Sequence, residues 1–251
     1  MRKLISALLR VAVVSLSVAV VSSDDKPEAP RIAFAAPFAV PANATTKVIV
    51  RGWKLNRDIE ARSTAGDVML KVLRHDNAPV PNGQDAKQIG DSLAELEVTV
   101  PQGFSAETLP ITLIASGVES SPYSLLVGGR FPVIAEVEPN DSFRQAQSID
   151  VPQIVDGQIH ADRNVDVFAI EFKAERRLLA EVLARRHGSG LDSLLTVFNA
   201  KKQIVVSSDD VDGTDSKIDV TLPAGQYYLV VQDAHDHGGA THPYRLVVQV
   251  P

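Results

Sequence analysis

Between residues 31 and 127 the apolar positions come in short bursts separated by turn residues: IAFAAPF, TKVIVRGWKL, DVMLKVLRH, SLAELEVTV, LPITLIAS and YSLLV. Val48, Val50 and Gly52 alternate with Ile49, Arg51 and Trp53, and Leu96, Val98 and Val100 alternate with Glu95, Glu97 and Thr99. Successive side chains of a strand point to opposite faces, so this two-residue beat predicts strands with one buried and one wet face. About six or seven strands in about 100 residues is the arithmetic of a small sandwich. The polar stretch from His75 to Asp91, with Pro79, Pro81, Gly83 and Gly90, reads as the longest loop of this half and decorates a sandwich edge.

Gly128-Gly129-Arg130-Phe131-Pro132 interrupts the beat and sets a domain boundary, giving one sandwich over 24–130 and a second over 131–251. In the second, Phe168, Ile170 and Phe172 alternate with Val167, Ala169 and Glu171. Ile218, Val220 and Leu222 alternate with Asp219 and Thr221, and Tyr244, Leu246, Val248 and Val250 with Arg245, Val247 and Gln249. The run RRLLAEVLARR at 176–186 consists of good helix formers. Leu178, Ala180, Val182 and Ala184 nevertheless keep the strand beat, and Gly188 to Gly190 ends the run quickly, so a strand is expected there too. The expected fold class is all-β, two tandem β-sandwiches.

The N-terminus changes the picture of where the protein works. Arg2 and Lys3 precede an apolar run from Val11 to Val21 relieved only by serine, and Val21-Ser22-Ser23 offers small residues before Asp24-Asp25. That pattern reads as a secretory signal peptide over 1–23. The run is shorter than the roughly 20 residues a bilayer-spanning helix needs. Arg10 splits it from Leu4–Leu9, which leaves a short uncleaved anchor as the alternative. Removing three bases and no acid takes the net charge from −6 to −9, with 22 basic against 31 acidic residues. No later stretch is apolar enough to span a membrane, so the mature chain is expected to be exported, whether periplasmic, cell-surface or extracellular. An acidic chain argues against a nucleic-acid partner, which needs clustered Lys and Arg. The absence of cysteine excludes disulfides, thiolate nucleophiles and iron–sulfur clusters, so any metal must be held by oxygen or imidazole.

The acidity concentrates at 131–251, with 18 acids against 11 bases, compared with 13 against 11 over 24–130. Within it Glu136, Glu138, Asn140 and Asp141 lie in six residues, EVEPND. Pro139 stiffens the backbone there, and Glu136 and Glu138 share a side if the segment is extended. Hard oxygens converging from a rigid segment suit calcium, which takes six to eight such ligands at roughly 2.3–2.6 Å. Asp162 and Asp166, in HADRNVDVF just before a strand, could complete the shell from a neighbouring loop. On composition alone a solvated domain edge is the favoured reading of the same acids.

Five motifs in order, EVEPNDSFRQAQSIDV, DGQIHADRNVDVFAIEF, LDSLLTVFNAKKQIVVSSDD, DVTLPAGQYYLVVQD and a final YRLVV, together resemble the bacterial pre-peptidase C-terminal domain over about residues 136–249. The resemblance implies a jelly-roll-like β-sandwich of the kind appended to secreted hydrolases, which in collagenase members binds calcium and contacts the fibrous substrate. By that resemblance Glu136, Glu138, Asn140, Asp141, Asp162 and Asp166 fall on calcium-ligand positions. A collagen-contacting aromatic surface is not visible, because core and strand packing explains Tyr227, Tyr228 and Tyr244 better. The first half resembles immunoglobulin-like domains of the IPT/TIG type, through a proline-rich opening followed by VIVRGWKL. That likeness implies a spacer or binding sandwich without catalysis.

Rival sites have plain structural readings. Asp210, Asp212 and Asp215 around Gly213 imitate a calcium loop, yet the twelfth position counted from Asp210 is Thr221 rather than a bidentate Glu. A solvated hairpin turn is expected instead. His235, His237 and His242 invite zinc, but Gly238-Gly239 follows at once and a flexible loop organises ligands poorly. The clusters Arg176-Arg177, Arg185-Arg186 and Lys201-Lys202 read as solvated strand ends. No G-x-S-x-G elbow, H-E-x-x-H, phosphate-cradling loop or dinucleotide fingerprint occurs. The expected function is an exported, non-catalytic binding or accessory protein with a calcium-stabilised interdomain hinge, contacting a protein or polysaccharide partner at the cell envelope. The alternatives are a secreted hydrolase, with its site at His75 to Asp91 or around His235 to His242, and an accessory subunit of a separately encoded peptidase.

Overall fold

The computed structural model describes residues 28–80, 86–211, 213 and 215–251. The expected signal peptide, the tip of the His75 to Asp91 loop at 81–85, and Asp212 lie outside the described residues. In the first half β1 (Arg31–Ala36), β2 (Ala39–Val40), β3 (Ala44–Trp53), β4 (Ile59–Ser63) and β5 (Met69–Asn77) lead into one short helix, α1 (Ala86–Ile89). Then follow β6 (Ser92–Val100), β7 (Thr108–Ala115), β8 (Val118–Glu119) and β9 (Tyr123–Val127). They build two sheets, ordered β1-β3-β6-β5 and β2-β9-β7-β4, with β8 paired on β7.

The two-residue beat decides which side faces in. Val48, Val50, Leu96 and Val98 are wholly buried, while Ile49 between them is 39% exposed. Burying each such aliphatic side chain contributes about 1.5–3 kcal/mol, so the beat fixes register as well as strand type. β4 is absent from the apolar bursts because its sequence, IEARS, buries only Ile59 and exists as a strand by pairing with β7 at a sheet edge. His75, Asp76 and Asn77 belong to β5, opposite Ala94, Leu93 and Ser92, so the loop is shorter than expected. Its neck is tied by the Ala78 N–H on the Asp91 carbonyl at 2.8 Å. The Arg51 guanidinium adds bonds to the carbonyls of Ala78 and Gly90 at 3.2 and 3.1 Å.

The second half contributes β10 (Val133–Ala135), β11 (Gln147–Ser148), β12 (Gln153–Gln158), β13 (Val165–Phe172) and β14 (Arg176–Leu183). After a 3-10 turn at Arg185–His187 come β15 (Ser193–Asn199), β16 (Ile204–Ser208), β17 (Lys217–Leu222), β18 (Gly225–Asp233) and β19 (Pro243–Gln249). Their sheets run β10-β12-β19-β14-β17 and β11-β13-β18-β15-β16. The ambiguous run at 176–186 is a strand to Leu183, with Leu178, Ala180 and Val182 wholly buried. β13 departs from simple alternation, since Val167 and Ala169 are buried along with Phe168 and Ile170. Phe143, from the segment before β11, covers the outer face there, edge-on to Tyr228, which lies opposite Ala169.

Among the described residues no ladder joins the two pairs of sheets; side chains and close backbone packing do. The Tyr123 hydroxyl donates to the His187 carbonyl, and Phe38 stacks on the His187 ring at 5.3 Å. Gly188 has φ +83°, and a Cβ there would sit 2.4 Å from the Ala33 carbonyl oxygen, so glycine is what lets the halves touch. Arg245 corrects the sequence reading, which put it on a wet face: it is 4% exposed. Its guanidinium grips Asp156 through two bonds of 2.6 and 2.9 Å and the Gly128 carbonyl at 2.6 Å, so the linker covers the face. Among the described residues no helix is long and apolar enough to cross a membrane, which does not address strand-built spans.

Arg245→Met leaves the Asp156 carboxylate and the Gly128 carbonyl without their donor, and is expected to cost about 2–4 kcal/mol in urea unfolding. Adding Asp156→Asn should cost little more, because the pair acts as a unit. A loss below about 0.5 kcal/mol for the single change would mean that solvent already screens the pair.

Candidate metal centre

The acidic segment 136–141 runs between β10 and β11 and is held at both ends by backbone bonds. The Glu136 N–H donates to the Asp156 carbonyl at 2.9 Å, and the Val167 N–H donates to the Asn140 carbonyl at 3.0 Å. Inside this frame Glu136 accepts the Gln158 N–H on one oxygen at 2.8 Å and the Asn140 amide on the other at 2.9 Å. The Asn140 N–H donates to Glu138 at 3.0 Å, so three of the polar side chains hold one another in place. Asp166 comes in from the start of β13, and the Tyr244 hydroxyl of β19 donates to it at 2.7 Å.

Two overlapping clusters result. Glu136, Glu138 and His160 each offer a ligand atom within 4.8 Å of the others, and so do Glu138, Asp141 and Asp166. Glu138 belongs to both, and His160 Nδ1 lies 2.9 Å from its oxygen. Asp141 also accepts the Asn164 amide at 2.6 Å. Asp162 joins neither cluster: its oxygen receives the Gly238 N–H at 3.1 Å, and it lines the same open depression as Glu138, Asp141 and His160.

The electrostatics are those of crowded acids. Among the described residues no Lys or Arg bridges to Glu136, Glu138, Asp141 or Asp166. Asp166 is wholly buried, and burial pushes its carboxyl up to about 9, helped by a hydrogen bond to Glu136 and by the charges of Glu136 and Glu138. The Tyr244 hydrogen bond acts in the opposite direction. Burial and the Asp166 and Glu136 charges hold the Tyr244 phenol well above its ordinary value, so it stays a donor. Asn140 Oδ1 and Asp166 Oδ1 are buried with no hydrogen-bond partner. Such an orphaned lone pair costs about 1–3 kcal/mol, and a cation among these oxygens would remove the cost. Carboxylates plus an amide oxygen form a hard donor set, so the residues present fit calcium.

The rival sites come out differently. Asp215, expected in a solvated turn, is wholly buried and accepts the Arg185 N–H at 2.7 Å and Arg186 Nε at 2.6 Å, capping the turn after β14. Asp192, Asp209 and Asp210 do draw together, with His235 Nδ1 3.5 Å from Asp192. His235 and His237 stack at 6.1 Å, whereas His242 is buried with Nδ1 on the Thr241 hydroxyl at 3.1 Å, so no metal-sized cluster of described residues unites the three. His160 and Tyr244 are the participants the sequence reading passed over. Tyr244 had a usable signal: on the core face of its strand, a phenol must find a polar partner.

No family model matches the sequence. A probable subtilase-type serine protease of Deinococcus radiodurans is 34% identical over 146 residues, covering 55% of this chain and 18% of that protein. The chain therefore spans under a fifth of that relative's length. Among solved structures, the pre-peptidase C-terminal domain of collagenase from Bacillus anthracis aligns over all of its own length and 45% of this chain, with 16% identity and a TM-score of 0.36. The secreted serine protease VesC from Vibrio cholerae aligns over 85% of this chain and 49% of its own, with 8% identity and a TM-score of 0.30.

In chelator, the proton on Asp166 gives the fold a pH dependence. An unfolded Asp loses its proton near 3.8 and the folded one holds it to about 9, so between those values the folded state binds more protons. The stability due to that proton is complete below the lower value and gone above the upper. Melts from pH 4.5 to 8.5 should therefore show falling stability, and Asp166→Asn should flatten the slope; equal slopes would refute the assignment.

Proposed function

We propose that this chain is an exported, non-catalytic accessory module of a secreted peptidase system, contacting a protein or polysaccharide partner at the cell envelope. In this reading calcium, held by Glu136, Glu138, Asn140, Asp141 and Asp166, ties the segment after the interdomain linker to the second sandwich. Asp162 supports the neighbouring loop through Gly238, and His160 orients Glu138. The observation that carries the calcium assignment is the pair of buried, unpartnered oxygens on Asn140 and Asp166, set among carboxylates that have no Lys or Arg partner among the described residues. The accessory role is supported by the motif resemblance at 136–249 and by the shared stretch with a probable subtilase-type protease. The gathered side chains are oxygen donors, an imidazole and a phenol, a set suited to holding a cation and lacking an activated serine or cysteine nucleophile.

A ligand that binds only the folded state raises its stability, by about 2.7 kcal/mol at a hundred times its Kd. Calcium should therefore raise the melting temperature above that in chelator, and should give binding heat in calorimetry. Glu138→Ala, at a half-exposed position that tolerates truncation, should lose most of both effects. Identical melts with calcium and chelator would remove the calcium reading. The name of the Deinococcus relative favours one second reading, a peptidase. Cleavage of a peptide by the purified chain, lost on changing a single polar side chain, would put that reading in place of the accessory one.

A further inference from the structure

β16 is the outer strand of its sheet and pairs with β15 on one side only. An outer strand leaves alternate N–H and C=O groups without ladder partners, and proteins blunt such edges with charge, proline or brevity. Most other outer strands here are blunted in that way. β4 carries Glu60 and Arg62, β5 carries Lys71 and Arg74, β17 carries Lys217 and Asp219, and β2, β10 and β11 have two or three residues. β16 reads IVVSS, with neither charge nor proline. Its one blunting device is a register shift against β15 near Val205, and that shift itself presents an apolar side chain. Ile204 is 65% exposed, Val205 40%, and Val211 just beyond the strand 59%.

The flanks of this edge are charged with opposite sign. Lys201 and Lys202 precede the strand, Asp209 and Asp210 follow it, and all four are exposed. Among the described residues none of the four forms an ion pair. At the acidic end, burial holds the Asp192 carboxyl above its usual range; Asp210 and Asp209 add to the shift, while Arg185 and His235 act against it. The segment KKQIVVSSDD runs from basic to acidic, and laid antiparallel beside itself it sets bases against acids at both ends. A parallel pairing would set like against like. The symmetry of this charge pattern selects a second copy as the occupant, because an isologous contact must be complementary to itself.

We propose that two copies of this chain associate through β16, paired antiparallel about a two-fold axis. Lys201 and Lys202 of one copy then face Asp209 and Asp210 of the other, and two five-stranded sheets become one continuous sheet. Ladder bonds supply the attraction, and the charges select the orientation. So short an edge buries less than the roughly 1,200 Å² of a standard interface, which makes the pair concentration-dependent and salt-sensitive.

Sedimentation velocity on the purified chain tests this, with Lys201→Glu/Lys202→Glu, Asp209→Lys/Asp210→Lys, and all four changes together. The wild type should dimerise with rising concentration and dissociate with added salt. Each half-reversal should weaken the dimer at least about tenfold by placing like charges face to face, and the full reversal should restore it. All changes lie on exposed side chains, and unchanged melting temperatures confirm that the variants fold. A wild type that stays monomeric up to about 1 mM, the weak limit of specific association, overturns the proposal and leaves the edge to a strand of another protein. So does a dimer that both half-reversals leave intact, or a folded full reversal that fails to regain it.

Discussion

The organisation of the second sandwich turns on a carboxyl group placed where water cannot reach it. Asp166 is wholly buried beside Glu136 and beneath the Tyr244 phenol, with Glu138 close by. Several negative charges at such spacing cannot coexist in a medium of low dielectric; either a proton or a cation must be present. The chain therefore builds a site whose state depends on what is bound to it. The backbone bonds from Glu136 to β12 and from Val167 to Asn140 make the acidic segment part of the sandwich in either state.

That site and the contact between the halves are two faces of one ladder. β12 and β19 pair with Gly157 opposite Tyr244 and Asp156 opposite Arg245. Neighbouring residues of a strand point to opposite faces, so Tyr244 reaches the carboxylates while Arg245 reaches Asp156 and the linker carbonyl of Gly128. Tyr244 and Asp156 also line a cavity of about 440 Å³ against Phe38, Ile49 and Arg51 of the first half. A Cβ at Gly157 would lie 2.6 Å from the Tyr244 hydroxyl, so the ring has no slack on that side. On the proposed reading, a cation at Asp166 would act on a strand pair that also clamps the linker.

Legibility in the sequence followed from how local each determinant is. The beat of Val48 and Val50, or of Leu178, Ala180 and Val182, records burial by the strand's own sheet, and it could be read directly. The acidic cluster at 136–141 was legible for the same reason, since four of its members are neighbours in the chain. What escaped depended on distant neighbours. Arg245 looked solvent-facing because nothing in its own strand announces that the linker lies over it. Asp215 looked like the tip of a turn because the three N–H groups that it caps lie some thirty residues earlier. β4 carries one buried side chain and is a strand by virtue of β7 alone. His160 is an imidazole in a loop until the fold sets Glu138 beside it.

The two ends of one sheet are given opposite treatment. At the β11 and β13 side, the segment from Asn140 to Ile149 folds over the sheet, and a two-residue strand closes it. At the β16 side no further strand of the described chain pairs with the ladder, and the charges flanking it are arranged by sign instead of being dispersed. Pairing at that edge would put the two Asp166 sites, each on β13, toward the far ends of a single continuous sheet. It would also bring two copies of the first sandwich into one assembly. For a partner with repeated sites, such as a fibre or a glycan, that arrangement turns a second weak contact into an intramolecular one and raises retention without any new contact surface.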